Sequence, residues 1–398
     1  MKTLFLPACG RVAVISLRFA IVAASGLALH AQISVTTPPF IIGGANGSGN
    51  GEFGLMEGVG IGTNGNIYLA DPGNHRIQEF MANGTFVTLW GGLGTNAGQF
   101  GHPDGVAIDQ SNNVFVVDID DNRVEKFTGG GAFLAQWGGL GSGPGQFSSP
   151  RDLAVDRAGN VYVVDQGNNR IQKFTGSGNF LGGWGAAGAA AGKFNSPRGI
   201  AVDNAGNVYV GDQGNFRVQK FSSQGIFLVE WGGAGTNDGK FGGSSRGPSG
   251  LTVDLAGNVC VTDGGNNRIQ VFAANGVFLG KFGSPGTNAG QFNFPTRLAF
   301  DPTGTLLYCT ETTNNRCQAF NYTMPPPMIL SVAPAGGSAT VTWSAIANRT
   351  YQLQFKTNLN QAVWSNSASA IIPTNYPAGS VDEPGTDPQR FYRVELLP

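Results

Sequence analysis

Short apolar runs of four to six residues recur along the chain, each closed by a polar turn rich in Gly, Asn and Asp, as in GVAID, NVYVVD and RIQKF. Runs of that length, dense in Val, Ile, Phe and Tyr, read as strands. The first two runs of each unit are almost continuously apolar, which predicts strands covered on both faces; a strand with one wet face would alternate. Each unit opens at Gly-Gln/Lys/Glu-Phe, carrying Phe53, Phe100, Phe147, Phe194, Phe241 and Phe292. A DxxGN turn joins the first run to the second, a turn such as Asp165 to Arg170 joins the second to the third, and a final hairpin leads to an outer run such as FLGGW or FLVEW. Four strands per unit follow from this grammar.

The arginine after the second turn marks the copies at Arg76, Arg123, Arg170, Arg217, Arg268 and Arg316, with steps of 47, 47, 47, 51 and 48 residues. A period in the forties built from short strands predicts a radial array of four-stranded blades. The fold class is therefore all-β: a six-bladed β-propeller over residues 32–323. After QAFNYT the sixth copy enters MPPPM and has no outer strand of its own, while Phe40 to Gly44 at the other end matches an outer-strand ending. That N-terminal stretch is predicted to complete the last blade and so remove the exposed edges.

Asp71, Asp118, Asp165, Asp212 and Asp263 end the second strand, with Glu311 in the last copy, and the arginine lies five residues on. This spacing invites a carboxylate to hold a guanidinium across each turn. Asn74, Asn168, Asn215, Asn266 and Asn314 are expected to tolerate the awkward backbone of the bend. Arg76, Arg123, Arg170, Arg217, Arg268 and Arg316 are read as structural, because a catalytic group is needed once and not six times. Trp90, Trp137, Trp184 and Trp231, with Phe282 in the fifth copy, are read as filling between diverging blades.

The stretch PRGIAVDNAGNVYVGDQGNFRVQKF at residues 197 to 221, with its five relatives, resembles the NHL repeat over roughly residues 38 to 322. The resemblance implies a six-bladed propeller that serves as a binding platform for protein, RNA or carbohydrate. Propellers similar to NHL domains also include zinc-dependent lyases and calcium-dependent lactonases with ligands around the channel mouth. Three departures stand out: Asp121 replaces the turn Asn, Glu311 replaces the turn Asp, and Ser244 to Gly247 lengthen the approach to the fifth unit.

Ligands of such a platform would meet the face carrying the starts of the inner strands and the turns between second and third strands. Glu57, Asp104, Arg151, Asp152, Arg198, Ser249 and Arg297 fall at those starts, and their opposite charges either capture a polar or anionic partner or neutralise each other laterally. His75, Ile119, Asp120, Asp121, Phe216 and the long fifth-unit loop are the less regular features of that face, where specificity would be written. Beyond residue 31 the histidines are His75 and His102, too few for a three-histidine zinc site. Oxygen ligands for calcium are offered by Glu57, Asp104 and Asp152, or by Asp118, Asp120 and Asp121. No nucleophile elbow, phosphate loop or paired cysteine and histidine occurs.

Of the 398 residues, 63 are Gly and 12% are charged, the composition of a loop-rich β protein. Lys plus Arg (24) nearly cancels Asp plus Glu (25), which argues against nucleic acid as the partner. Lys2, Arg11 and Arg18 precede the apolar run Phe19 to Leu29, closing at Ala31, so residues 1–31 read as a secretory signal. The expected location is secreted, periplasmic or cell surface, without membrane insertion after cleavage. Cys260, Cys309 and Cys317 then remain; the first reads as core filler, and the other two either bridge the last hairpin by a disulfide or sit as small core residues. Residues 324–328 read as a stiff proline linker, and ATVTWSA, RTYQLQFKTN and QRFYRVELL within 329–398 as strands of a small β-sandwich that resembles fibronectin type III or immunoglobulin-like modules. The expected function is that of an exported, non-enzymatic platform for a protein or polysaccharide, with no resident cofactor. The alternative is an exported calcium-dependent hydrolase, lactonase or lyase with its site at the channel mouth.

Overall fold

The apolar runs form strands because each finds two neighbours to pair with and two sheets to lie between. In the computed structural model, which describes residues 38–242, 246–323, 329–335, 338–343, 351–357, 363, 365–367, 370–372, 378–382 and 391–396, they make six four-stranded antiparallel sheets. Blade one comprises Val59–Ile61, Ile67–Asp71, Arg76–Phe80 and Phe86–Gly91; blade three comprises Pro150–Val155, Val161–Asp165, Arg170–Phe174 and Phe180–Trp184. Blades two, four and five repeat the plan from Pro103, Pro197 and Leu251. Innermost strands neighbour one another around the ring, and the inner strand of blade six, Pro295–Phe300, returns to that of blade one. The chain is a six-bladed β-propeller.

Blade six is made from both ends of this ring. Its strands Pro295–Phe300, Leu306–Glu311 and Arg316–Asn321 take Phe40–Gly43 as the fourth, with Phe40 opposite Ala319 and Ile42 opposite Cys317. Ile42 is buried and joins the core between blades six and one with Phe53, Ile67, Phe80 and Tyr308. The N-terminal segment thus closes the circle, as its pattern predicts.

Second strands are buried along their whole length, whereas outer strands alternate and leave Leu89, Leu134, Leu181 and Leu228 exposed. The outer-strand tryptophans are half-buried: Trp137 lies 6.0 Å from Phe174 and 6.2 Å from Phe115, bridging two blades. Gly178, at φ 88°, approaches the Trp137 ring so closely that a Cβ would sit 2.8 Å from it. Both the left-handed backbone and the ring demand glycine there.

Each hub arginine does more than pair with its carboxylate. Arg170 Nε donates to Asp165 Oδ2 at 2.7 Å, Nη1 to Ser142 O, and Nη2 to Gly143 O and Gln146 O, pinning the loop before the blade to the turn within it. Gln172 Nε2 donates to the same carboxylate and to Gln146 O. Asn168 donates to Asp165 and to Gly141 O. The turn asparagines are therefore clamps, and the left-handed position falls one residue later, at His75, Asn122, Asn169, Phe216, Asn267 and Asn315.

The cysteines are free and buried. Cys309 lies opposite Gln318 and Cys317 opposite Thr310, a one-residue offset that turns their side chains to opposite faces of the sheet. Cys309 packs toward blade five and Cys317 toward blade one, which excludes the disulfide.

The signal reading of residues 1–31 and the linker 324–328 lie outside the described residues. Beyond residue 328, Ile329–Ala335, Ser338–Trp343 and Ala378–Asp382 form one antiparallel sheet, and Ser365–Asn366, Tyr351–Lys356 and Phe391–Leu396 another. Among the described residues, no helix is long and apolar enough to cross a membrane.

A chain beginning at Gly47 loses the closing strand and the buried Ile42. Its midpoint of thermal unfolding, followed by circular dichroism, is expected to fall by at least about 10 °C, since losing one large core aliphatic costs about 2–5 kcal/mol before any ladder bonds are counted. An unchanged midpoint would show that the ring closes without that strand.

Candidate functional site

Inner strands start on the face that carries the turns between second and third strands, because the two strands run antiparallel: Pro150 lies opposite Asp165 and Pro197 opposite Asp212. The register breaks just after each of these prolines, between Pro103 and Val106, Pro150 and Asp152, Pro197 and Ile200, and Pro295 and Leu298. Such bulges re-aim side chains away from the ladder. They hold Asp104, Arg151, Arg198 and Arg297.

These groups meet across the channel. Arg297 of blade six donates Nη2 to Asp104 Oδ1 of blade two at 2.8 Å and to the Arg151 carbonyl at 3.0 Å, and its Nε lies 3.6 Å from Asp152 Oδ2 of blade three. Its Nη1 reaches Ser249 O. Arg198 of blade four donates to Glu57 Oε2 of blade one, the opposite blade, at 2.9 Å. The lateral contact, Arg151 to Asp104, is longer at 3.7 Å. Long guanidinium side chains thus span the axis, and the predicted self-neutralisation is diametral first and lateral second.

Burial sets the protonation of this cluster. It pushes the Asp152 carboxyl up to about 6, against the opposing pull of Arg297. Burial alone would lower Arg297, but Asp104, Asp152 and Glu57 outweigh it and the guanidinium is held more firmly charged. Arg198 is lowered, again by burial first, with Glu57 partly restoring it. Ion pairs taken out of water in this way repay their desolvation only as far as their remaining hydrogen bonds are satisfied. Arg198 Nε and Arg297 Nε lack an acceptor.

Above the ion pairs opens a cavity of about 490 Å³ lined by Glu57, Arg151, Gln166, Ser196, Arg198, Gln213, Gly214, Phe216 and Arg246. Gln166 accepts from Arg151 Nε and donates to Pro197 O. Gln213 Nε2 is buried with no acceptor. Phe216 holds φ 56°, the left-handed region that a bulky residue seldom adopts. At the same point of other blades Asn122, Asn169 and Asn267 accept the N–H of Ser149, Ser196 and Phe294. His75 Nδ1 makes a comparable link, donating to Gly101 O at 2.6 Å, which accounts for it as a joint between blades.

Of the residues singled out in the sequence, Glu57, Asp104, Arg151, Asp152, Arg198 and Arg297 come together at the mouth, and Phe216 lies in the cavity beside it. Gln166, Gln213 and Ser196 escaped that reading, while Arg246 belongs to the long fifth-unit loop it singled out. The two glutamines follow the strand-ending Asp, where other copies carry Pro72, Ile119, Gly264 and Thr312, so a position-by-position comparison of the copies held the signal.

Asp120 and Asp121 belong elsewhere. Asp121 stands where other blades have the clamp asparagine, and Glu125 stands where they have the clamp glutamine. With both amides replaced by acids, Asp118, Asp121 and Glu125 crowd Arg123, whose Nη2 lies 3.6, 3.1 and 3.2 Å from them. Arg123 Nε and Glu125 Oε2 have no partner. Burial raises the Glu125 carboxyl to about 7, opposed by Arg123 and the Gly98 N–H and reinforced by Asp118 and Asp121. Asp121 is raised as well, by burial first and then by Asp118.

Neither proposed calcium set fits its ion. Glu57, Asp104 and Asp152 each face a guanidinium within 3.6 Å, and Asp118 spends its two oxygens on the N–H groups of Gly101 and His102 while Asp121 faces Arg123. Among the described residues, no three His, Cys, Asp or Glu side chains are disposed to hold a metal.

In family comparison the chain carries NHL repeats at residues 147–174, 194–221 and 246–272, which span the first three strands of blades three, four and five. Among solved structures it is similar to a gluconolactonase from Xanthomonas campestris, at 16% identity and TM-score 0.49 over 68% of this chain and 86% of that one. It is also similar to a streptogramin B lyase, at 17% identity and TM-score 0.48 over 67% and 78%, and to a virginiamycin B lyase from Staphylococcus aureus, at 16% and 0.48 over 66% and 79%.

The blade-two cluster makes stability depend on pH in a defined direction. Glu125 is raised from an ordinary 4.5 to about 7, so its proton stabilises the folded state fully below 4.5, and that contribution is lost as pH rises through 7. Glu125→Gln restores the clamp amide and should leave stability little changed at pH 4 while raising the midpoint of thermal unfolding by several degrees at pH 8. Equal midpoints at pH 8 would show that Glu125 costs nothing.

Proposed function

We propose that the propeller is a binding platform whose channel-mouth face captures a polar, extracellular ligand without transforming it. The observation that supports this most strongly is that Glu57, Asp104 and Asp152 are each engaged by a guanidinium reaching across the axis. A carboxylate so engaged is poorly placed to take a proton from a substrate, whereas the resulting rigid, closed floor suits recognition by the loops above it. The cavity over that floor falls within the usual size range of a small-ligand site. Polar lining and a near-neutral chain favour a polysaccharide over nucleic acid.

The rest of the chain fits the same role. The N-terminal segment is proposed as an export signal, the five residues 324–328 as a spacer, and the strands beyond as a fibronectin type III or immunoglobulin-like module holding the platform at a surface. The two three-stranded antiparallel sheets of that region support the module reading.

A second reading, hydrolysis or elimination at the mouth, has one observation in its favour: Asp152, with its carboxyl pushed up to about 6, has the tuning of a general acid or base. The two are separated by incubating the full chain with a panel of oligosaccharides and analysing both bound fraction and recovered ligand by mass spectrometry. The platform predicts retained, chemically unchanged ligand, with binding reduced about tenfold or more by Arg297→Met, which unties the floor. Recovery of cleaved or unsaturated ligand, lost in Asp152→Asn, would establish the enzyme instead.

A further inference from the structure

The cavity between blades three, four and five is built asymmetrically. Arg198, 6% exposed, lines it with one terminal nitrogen on Glu57 and its Nε–H undonated. Gln213 lines it with a buried, undonated amide. Arg246, exposed, is held with its guanidinium over the Phe294 ring at 5.2 Å and forms no ion pair with a described residue. Three donor groups therefore surround one volume and lack a common acceptor.

Charge narrows what that acceptor is. Around the mouth, Arg151, Arg198, Arg246 and Arg297 face Glu57, Asp104 and Asp152, so four guanidinium groups against three carboxylates leave one net positive charge. A single carboxylate group is matched by that surplus, whereas a phosphate dianion, with two charges on one group, is not. Arginine forks suit a planar carboxylate.

Shape narrows it further. Phe216 lines the same cavity in a left-handed conformation that four other blades fill with asparagine, with one ring edge against Gly242 of the fifth-unit loop and the residue as a whole only partly buried. An aromatic face beside Ser196 and two side-chain amides is a platform for a hydroxylated ring: apolar C–H faces on Phe216, hydroxyls toward the amides.

We propose that this cavity is a recognition site for an acidic saccharide, taking a uronate whose carboxylate bridges Arg198, Gln213 and Arg246 and whose ring lies on Phe216. The inference rests on the mouth face being the binding surface.

Titration calorimetry of the full chain against digalacturonate, its neutral digalactose counterpart, inorganic phosphate and an Asp-rich peptide tests it. Digalacturonate is expected to bind at least about tenfold tighter than the other three, the discrimination of one charge-assisted contact. Arg246→Gln should weaken it about tenfold. Phe216→Asn should weaken it too while keeping or raising the midpoint of thermal unfolding, because asparagine suits the left-handed backbone; that combination separates recognition from folding. Arg157→Gln, on the hairpin at the other end of blade three, should bind as the parent chain does. Neutral sugar bound at the mouth with no acid preference overturns this inference and leaves the platform standing. Tighter binding of phosphate or the peptide overturns it in favour of a different anion. Digalacturonate binding that Arg246→Gln and Phe216→Asn both leave intact overturns the site, and no saccharide binding sensitive to Arg297→Met overturns the platform itself.

Discussion

Each blade hangs on one guanidinium. The hub arginine ties the carboxylate at the end of the second strand to three carbonyls of the preceding loop, and the adjacent glutamine and asparagine complete the clamp. In blade three every guanidinium nitrogen has an acceptor, which lets the charge sit largely out of water. The loop so fastened carries the buried Phe that seals one sheet against the next, as where Phe147 lies 5.6 Å from Phe174. Blade spacing, and with it the position of every residue at the channel mouth, follows from that fastening.

Two of the ring's departures from the pattern differ in kind. In blade two the amides of the clamp have become acids, and the result is an internal mismatch: three carboxyls and one arginine, with donors and acceptors left over. In blade four the joint residue has become Phe216, and the result faces a cavity. The first stores electrostatic stress inside the scaffold. The second turns an aromatic ring toward open volume. Repetition makes both visible, since five sister copies state what the position requires when nothing else is asked of it.

Sequence patterning carried the architecture almost completely. Strand count, blade count and the completion of blade six by Phe40–Gly43 were legible because they depend on period-scale regularities that the copies reinforce. The mouth was legible as a set of charged positions but not as a wiring diagram, since Arg297 reaches Asp104 over 193 residues of chain and no local rule fixes which carboxylate a long side chain will find. The cysteine pair illustrates the opposite limit. A one-residue uncertainty in register decides between facing neighbours and opposite faces, and spacing alone could not resolve it. Arg246 was legible only as part of the irregular fifth-unit loop and not as an individual group, because that loop has no counterpart in the other copies to compare it with.

The closing strand has a temporal side. Phe40–Gly43 leaves the ribosome before its partner Arg316–Asn321, which arrives nearly three hundred residues later. Until then the early strand has nothing to pair with and the nascent wheel keeps an open rim, the kind of edge that invites the wrong neighbour. Once joined, the first and last parts of the ring lock each other, so no blade can peel away from an end as a terminal unit of an open solenoid can. A hoop of this construction gives way everywhere or nowhere.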